Sequence, residues 1–404
     1  MKEYMEEYIK EYISRHQRLQ KKMIDQHIDA IIITQNVDLY YFTASMQTGF
    51  LFIPSVGEAV YYVRRSLQRA QEETTKAVEV VELGSMKSFG ERLSNQFPQV
   101  FRQDVKPMIA TEFDVLPVQV FRRLESAIPG CDWADGSLMV REVRMIKSAT
   151  EVAKIKEAAQ LIDLALEHAI TNVKEGMRDV ELMSLIETYV RERGHLGLMR
   201  MRGYNQEIIT GMVGSGVAAA VPTYFDGPAG GQGLSAASPQ SAGHKRIARN
   251  EPVIIDIGCC VEGYVIDQTR TLVIGELNEE IMQAYEVSES ILHATEGLLK
   301  PGTICESLYI NALEMAEQAG LSKHFMGHGS DQVKFLGHGI GLEIDELPVL
   351  AKGFKYPLEA GMVIAIEPKF TYPGVGVVGI ENSYLITDTG FEKLTCSREG
   401  LIKA

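Results

Sequence analysis

The chain has 404 residues, of which 45% are hydrophobic and 23% are charged, and its formal net charge is −14. This length exceeds what one hydrophobic core ordinarily supports, so two domains are expected. The acidic balance argues against a nucleic-acid-binding protein, which would carry a basic face, and against attraction to anionic membrane surfaces.

The cysteines and the first residues bear on the compartment. The five cysteines are sparse and odd in number and lack zinc-site or disulfide-framework spacing, which fits a reducing cytosol. The opening Met1-Lys-Glu-Tyr-Met-Glu-Glu is charged and has no apolar core typical of a signal peptide. No apolar run reaches 18 residues, so no transmembrane helix is expected. We therefore expect a cytoplasmic protein.

The first 143 residues alternate between helical and strand patterns. Residues 2–27 predict a charged amphipathic helix, and the continuously apolar run 29–34 predicts a strand buried on both faces. Further strands are predicted near 56–63, 77–81 and 107–110, and helices near 64–73, 85–96 and 116–127. The alternation indicates a small α/β domain over 1–143.

A second domain is predicted over 144–404. Ser148-Ala-Thr-Glu151 has the pattern of a capping box and opens a helix with a continuous apolar face. Thr303-Ile-Cys-Glu306 has the same pattern before a helix predicted over 304–319. Other helices are predicted over 178–193 and 278–299, and strands near 335–344, 362–370, 376–387 and 391–396.

Residues 199–249 are rich in Gly, Ala, Ser and Met and show little periodicity. Long segments of this kind are usually functional or mobile. Gly214-Ser-Gly216-Val-Ala-Ala219 matches a dinucleotide-binding fingerprint, which requires a following helix and an acidic residue about twenty positions later. Pro222 interrupts the helix that should follow, and Pro239 and Gln240 occupy the positions of the required acidic residue. A nucleotide site is therefore not expected.

Two β-branched runs within 253–273 flank a short turn that contains Gly263, which predicts a hairpin. If the turn lies near Val261 and Glu262, Asp256 and Asp267 face each other across the two strands. Directly opposed carboxylates destabilise a sheet. A divalent cation between them is the simplest source of compensating charge.

Three further candidate ligands follow in short apolar runs, namely His338 in Gly-His-Gly-Ile-Gly-Leu, Glu367 before Pro368, and Glu381 before Asn382. A single carboxylate in such a run would most often lie at a strand end or in an ion pair. Four carboxylates and an imidazole in one domain instead favour a site for Mn, Fe, Co or Zn. Two divalent ions would balance four negative charges, and a bridging hydroxide would be the natural nucleophile. His324 or His328 could also reach the site.

The order Asp, ten residues, Asp, then His, Glu-Pro and Gly-x-Glu-Asn resembles the M24 metallopeptidases, which include Xaa-Pro aminopeptidase, Xaa-Pro dipeptidase and methionine aminopeptidase. Gly263-Tyr-x-x-Asp267-x-Thr269-Arg270-Thr271 also matches. The resemblance implies an α/β (α+β) protein with a creatinase-like N-terminal α/β domain and a "pita-bread" catalytic domain.

By resemblance, Asp256, Asp267, His338, Glu367 and Glu381 are the ligands of two divalent metal ions. Asp267 and Glu381 would bridge both ions, and Glu367 would accept the proton of the bridging water. Manganese is the favoured metal, with Co, Zn or Fe as alternatives. The resemblance also implies a homodimer that acts on a small peptide or other small molecule.

The chain departs from the family at three positions. Thr223, beside Tyr224, stands where the peptidases usually carry a histidine. Asp345, seven residues after His338, replaces a second histidine. Gly379 replaces an arginine that some family members carry two residues before the last glutamate. In the family these histidines bind substrate and stabilise the tetrahedral intermediate, so Thr223, Tyr224 and Asp345 are candidate substrate-binding residues.

Three functions follow from these residues. The first is a dinuclear metallohydrolase of Xaa-Pro peptides, in which a metal-bridging hydroxide attacks the amide carbonyl. The second is a non-peptidase of the same fold, a metal-dependent lyase or C–N hydrolase of a small ammonium or sulfonium substrate, with Asp345 as base. The third, a binding protein on a former enzyme fold, is disfavoured by the complete ligand set.

Overall fold

The computed structural model describes residues 2–74, 76–103, 105–208 and 210–404. The chain divides into two units, Met1–Arg144 and Met145–Ala404. Among the described residues, no helix is both long enough and apolar enough to cross a membrane.

The first unit is built on a six-stranded sheet with the strand order β4-β3-β2-β1-β5-β6. Strand β1 pairs antiparallel with β2 and parallel with β5. The strands are β1 (Ala30–Ile33), β2 (Gly49–Pro54), β3 (Val60–Val63), β4 (Glu79–Glu82), β5 (Met108–Thr111) and β6 (Asp132–Asp135). The helices are α1 (Lys2–Asp25), α2 (Asn36–Thr43), α3 (Leu67–Glu73), α4 (Phe89–Gln96), α5 (Val118–Ala127) and α6 (Ser137–Met145).

Strand β1 lies at the centre of this sheet, and all four of its residues are buried. This agrees with the prediction from its unbroken apolar run. Strands β2 and β6 were not predicted. Strand β6 has an aspartate at each end and so lacks the pattern of a buried strand. Strand β2 contains the apolar run Phe50–Ile53, a strand pattern that the prediction missed.

The second unit contains four long helices and eleven strands among its described residues. The helices are α7 (Ala149–Asn172), α8 (Asp179–Arg191), the single turn α9 (Gly216–Ala219), α10 (Glu279–Glu296) and α11 (Cys305–Gln318). The strands are β7 (Gly211–Ser215), β8 (Pro252–Val261), β9 (Tyr264–Val273), β10 (Phe335–Gly339), β11 (Glu346–Ala351), β12 (Val363–Ile366), β13 (Lys369–Tyr372), β14 (Gly376–Gly379), β15 (Asn382–Ile386), β16 (Phe391–Lys393) and β17 (Ile402–Lys403).

Three sheets organise these strands. The orders are β17-β9-β8-β7 in the first, β11-β10-β12-β15-β16 in the second, and the pair β13-β14 in the third. The chain passes directly from β12 to β13 and from β14 to β15, so residues between these strands lie where the second and third sheets meet. An antiparallel bridge from Thr269 to Glu381 joins the first sheet to this junction.

The two predicted capping boxes have different outcomes. Ser148 accepts a hydrogen bond from Glu151 N, and the Glu151 carboxylate accepts one from Ser148 N, so the first is confirmed. The second is wrong. Helix α11 begins after Ile304, while the Thr303 hydroxyl donates to Leu298 O and the Glu306 carboxylate accepts from Gly353 N. A local carbonyl thus engages the Thr303 hydroxyl, and a distant backbone amide engages the Glu306 carboxylate.

The hairpin of β8 and β9 turns one residue later than predicted. Glu262 and Gly263 both have positive φ, 49° and 92°, as a two-residue type I′ turn requires. One residue of shift in the turn moves the pairing by two, so Asp267 lies opposite Gly258 and Asp256 opposite Thr269. The prediction that the two aspartates lie directly opposite each other is therefore wrong. They still share one face, because residues two apart on a strand point the same way.

Candidate metal centre

Side chains from two sheets and from the junction between sheets converge at one place in the second unit. Asp256 and Asp267 come from β8 and β9, His338 from β10, Glu367 from the β12–β13 link, and Glu381 from the β14–β15 link. They form two overlapping groups in which the ligand atoms lie within 4.8 Å of one another. We call Asp267, His338 and Glu381 the imidazole group, and Asp256, Glu367 and Glu381 the carboxylate group. The structure thus brings all five predicted ligands together.

Polar neighbours on β9 and β15 hold the shared ligand and Asp267 in place. The Thr269 hydroxyl donates to Glu381 Oε2 at 2.6 Å, and Glu381 N donates to Thr269 O at 3.1 Å. The Ser383 hydroxyl donates to Asp267 O at 3.1 Å and Asp267 Oδ1 at 3.4 Å. Both carboxylates are therefore oriented by strands rather than by loops, which favours a fixed geometry.

Arg270 anchors the segment that carries Glu381. Its side chain is completely buried. The guanidinium donates hydrogen bonds at 2.7–2.9 Å to Thr269 O, Glu381 O, Asn382 Oδ1, Ser397 O and Arg398 O. The Thr-Arg-Thr part of the motif thus supports the ligands through hydrogen bonds within the protein.

The two nitrogens of His338 face different surroundings. Nε2 lies 3.8 Å from both Asp267 Oδ2 and Glu367 Oε1. Nδ1 lies 3.1 Å from Gly339 O and 3.5 Å from Asp345 Oδ1. A proton on Nδ1 would be shared with these oxygens and would leave the Nε2 lone pair directed at the ligand cluster, as in many metal-binding histidines.

The electrostatic environment attracts positive charge. Burial by itself lowers the pKa of His338, but the carboxylates of Asp345, Asp267 and Glu367 outweigh it and raise the pKa to about 10. Burial raises the pKa of Asp256 and Asp267, and it raises that of Glu367 to about 8. The pKa values of these carboxyls rise because the groups are buried and lie close to one another.

Lys369 is the functional residue that was not predicted. Its side chain is completely buried, and Nζ lies 2.5 Å from Glu367 Oε2, 3.0 Å from Asp256 Oδ2 and 3.1 Å from Glu381 Oε2. Burial lowers the pKa of Lys369, but these three carboxylates raise it well above its ordinary value. Burial would also raise the pKa of Glu381, yet Lys369 and His338 lower it. One feature of the sequence could have indicated Lys369. It lies in a mostly apolar run two residues after Glu367, and residues two apart on a strand point to the same face.

The five residues lie at the base of a cavity of about 310 Å³. Asp345, half-exposed, also lines this cavity. Much of the remaining wall comes from the 199–249 segment, including Phe225, Pro228 and Ala242. The glycine-rich segment thus contributes to a pocket over the ligand cluster, although β7 and α9 are the only strand and helix among its described residues.

Thr223 and Tyr224 are not brought to this cavity. They line a neighbouring cavity together with His328. Tyr224 is 54% exposed, and the buried Thr223 hydroxyl has no hydrogen-bond partner among the described residues. His324 stacks on Tyr372 with ring centroids 4.0 Å apart and contacts Thr371 O. Neither His324 nor His328 lines the cavity that contains the ligand cluster.

Comparison with known proteins agrees with this architecture. Residues 153–388 match the model of metallopeptidase family M24, and residues 15–146 match the creatinase/prolidase N-terminal domain. The chain is a member of metallopeptidase family M24. The fold predicted from the motifs, a creatinase-like domain followed by an M24 catalytic domain, is confirmed, and so is the prediction of a hydrolase.

Relatives of this M24 member align over nearly its whole length. The Xaa-Pro dipeptidase of Pyrococcus furiosus is 29% identical over 392 residues, which cover 96% of this chain and 99% of the relative. The prolidase of Pyrococcus horikoshii OT3 has a TM-score of 0.79 and 26% identity, with 96% of this chain and 100% of the other covered. The Xaa-Pro dipeptidase of Bacillus anthracis, at 24% identity, shares the fold with a TM-score of 0.81 over 97% of this chain and 100% of the other.

Membership of the M24 family implies divalent metal ions, and the two groups fit such ions unequally. The imidazole group offers one nitrogen and two carboxylates, a donor set suited to Mn, Fe, Co or Zn. The carboxylate group already surrounds the Lys369 ammonium. The imidazole group is therefore the better candidate for an ion.

Proposed function

We propose that this protein is a metal-dependent peptidase that hydrolyses Xaa-Pro dipeptides. The observation that carries the proposal is the convergence of Asp267, His338 and Glu381 at the base of a cavity in an M24 chain. The relatives named above are an Xaa-Pro dipeptidase and a prolidase. Asp267, His338 and Glu381 would hold a divalent ion, with Asp256 and Glu367 completing the predicted ligand set.

A bound divalent ion supplies Lewis acidity, which polarises the scissile carbonyl and makes water more acidic. The chain supplies the proton transfers. The Glu367 carboxylate, which lines the cavity, would take the proton of the attacking water and return it to the leaving proline nitrogen. Lys369, 2.5 Å from Glu367 Oε2, orients that carboxylate.

The cavity walls suit a short peptide with an apolar ring. Met183, Met199, Phe225 and Phe335 provide apolar surface for a proline side chain. Asp345 adds a negative charge at the same cavity and would attract the free amino group of a dipeptide. Thr223 and Tyr224 line the neighbouring cavity, so their predicted role in substrate binding requires that this cavity receive part of the substrate.

Manganese, a homodimer and a cytoplasmic location belong to the same proposal. The metal and the homodimer rest on the resemblance to the family, and the location rests on the sparse cysteines. Two ions acting together would require the Lys369 ammonium to withdraw from the carboxylate group. The lyase or C–N hydrolase with Asp345 as base is not favoured, because the named relatives are peptidases and because Asp345 lies against the imidazole ring of His338.

The test is hydrolysis of Ala-Pro and Gly-Pro by the protein supplied with Mn²⁺, with release of free proline as the readout. We expect cleavage that a chelator abolishes and that added Mn²⁺ restores. Ala-Ala serves as the control for proline specificity, and Ala-Pro-Ala distinguishes a dipeptidase from an aminopeptidase. Metal-loaded protein that cleaves none of these peptides would contradict the proposal.

A further inference from the structure

The Lys369 ammonium makes contact with one oxygen from each member of the carboxylate group. The three acceptors are Asp256 Oδ2, Glu367 Oε2 and Glu381 Oε2, at 2.5–3.1 Å. A lysine ammonium has three N–H donors, so this environment can satisfy all three of them. The lysine therefore lies in the space that a second metal ion would take within this group.

The opposite strand makes room for this side chain. Lys369 pairs with Gly379 across β13 and β14. A Cβ at Gly379 would come within 2.6 Å of Lys369 Cγ and 2.7 Å of Pro368 O, so a larger residue would displace the lysine or the backbone. The Thr271 hydroxyl holds Gly379 by donating to its carbonyl at 2.8 Å and accepting from its N–H at 3.0 Å. Lysine and glycine thus form a matched pair.

Burial keeps the ammonium where it is. Lys369 has no exposed surface. A charged group in this position is retained only while its counter-ions surround it.

Distance and charge exclude a second ion beside the lysine. Carboxylate oxygens lie at about 2.0–2.2 Å from an ion such as Zn²⁺. An ion at that distance from the same three oxygens would overlap the ammonium and repel it. One divalent ion and one ammonium supply three positive charges to the four carboxylates of Asp256, Asp267, Glu367 and Glu381.

We propose that Lys369 replaces one of the two cations, so that this centre binds a single divalent ion, in the imidazole group. The inference rests on the proposed metal site but not on the proposed substrate. In the imidazole group, His338 Nε2 faces Asp267 Oδ2 at 3.8 Å, and Lys369 contacts only Glu381, at the oxygen that Thr269 also contacts.

The first experiment uses the unaltered full-length protein. Chelator-treated protein is titrated with Mn²⁺, and free Mn²⁺ is followed by its six-line electron paramagnetic resonance signal. We expect one tight ion per chain, with the spectrum of an isolated ion. Two tight ions with a coupled spectrum, as expected for ions about 3.5–4 Å apart, would overturn the inference, and so would the absence of tight binding.

The second experiment removes the ammonium. Lys369→Gly is expected to raise the tight-binding stoichiometry from one to two Mn²⁺ per chain, whereas Lys369→Arg, which keeps the charge, should stay at one or below. Lys352→Gly, at an exposed lysine, is the matched control and should stay at one. A folded Lys369→Gly protein that still binds one ion would overturn the inference. If that variant does not fold, the titration of the unaltered protein decides.

The two proposals fail in different ways. Two bound ions together with cleavage of Ala-Pro would reject the single-ion centre and leave the peptidase intact. One bound ion without cleavage of any Xaa-Pro peptide would reject the peptidase and leave the single-ion centre intact.

Discussion

The imidazole group and the carboxylate group share Glu381 but compensate their negative charge differently. The carboxylate group contains a protein cation, Lys369, at 2.5–3.1 Å from three oxygens. The imidazole group contains only His338 and two carboxylates. A buried lysine brings one charge on a tethered side chain, whereas a divalent ion brings two and is exchangeable. The comparison indicates that metal dependence can reside in one half of a family's ligand set.

The two groups also depend on different supports. Asp267 and Glu381 are held by hydroxyl groups on neighbouring strands, and His338 has Asp345 behind its ring. Lys369 instead depends on the space left by Gly379. Substitutions can therefore address both groups together or either one alone.

Arg270→Met would disrupt both groups and has the largest expected effect. Five oxygen acceptors lose a buried donor, and each unsatisfied group costs about 1 kcal/mol or more. We expect the free energy of unfolding to fall by at least about 3 kcal/mol in denaturant titrations. Arg398→Met is the control, because its ion pair with Glu167 is half-exposed and should contribute below about 1 kcal/mol. Equal losses in the two variants would contradict the anchoring role.

Asp267→Asn removes a ligand of the imidazole group alone. We expect Mn²⁺ affinity and Xaa-Pro hydrolysis to fall more than the roughly 100-fold that is the upper range for residues behind a ligand. Isothermal titration with Mn²⁺ and proline release would measure both. Asp388→Asn, at an exposed aspartate, should change neither. An Asp267→Asn protein that keeps its metal affinity would remove Asp267 from the site.

Asp345→Ala leaves the ligands in place but removes the carboxylate behind His338. We expect roughly 10–100-fold weaker Mn²⁺ binding, since partners of ligand histidines orient the ring and raise its basicity. Asp345→Asn should retain part of the affinity, because its amide oxygen can still accept from Nδ1. Unchanged metal affinity combined with lost turnover would instead place Asp345 in contact with the substrate.

Thr269→Val has the smallest expected effect. It keeps the shape of the side chain but removes the 2.6 Å hydrogen bond to Glu381 Oε2. We expect a loss of about 1.5–3 kcal/mol in stability, the usual contribution of a hydrogen bond to a charged group. Thr171→Val, at an exposed helix position, should cost less than about 0.5 kcal/mol. Thermal unfolding would compare the two, and equal shifts would show that the hydroxyl does not support Glu381.

Most of the fold could be predicted from local patterns. Helices α7, α8, α10 and α11 lie within a few residues of their predicted bounds, because each presents a long periodic apolar face or a clear start. Strand β6 was not predicted because it carries an aspartate at each end. Strand β2 was missed although its apolar run Phe50–Ile53 is typical of a buried strand. The capping pattern at Thr303 was wrong because two other backbone groups, Leu298 O nearby and Gly353 N from a distant segment, bond to the same side chains.

The sequence by itself determined which side chains could bind a metal. Asp256, Asp267, His338, Glu367 and Glu381 each interrupt an apolar strand run, and a buried charge requires a partner wherever the strand lies. The face that each occupies follows from the period of two, so an error of one residue in the hairpin turn did not separate the aspartates.

Only the tertiary structure decided what accompanies those ligands. Lys369 contacts Asp256, which lies on the distant strand β8, and Glu381, which follows β14. It can do so because Gly379 is its neighbour across the β13–β14 pair. The assignment of Thr223 and Asp345 to different cavities likewise depends on how the 199–249 segment covers the sheets. Charge compensation is a property of groups brought together in space, and spacing along one chain does not specify which cation will be nearest.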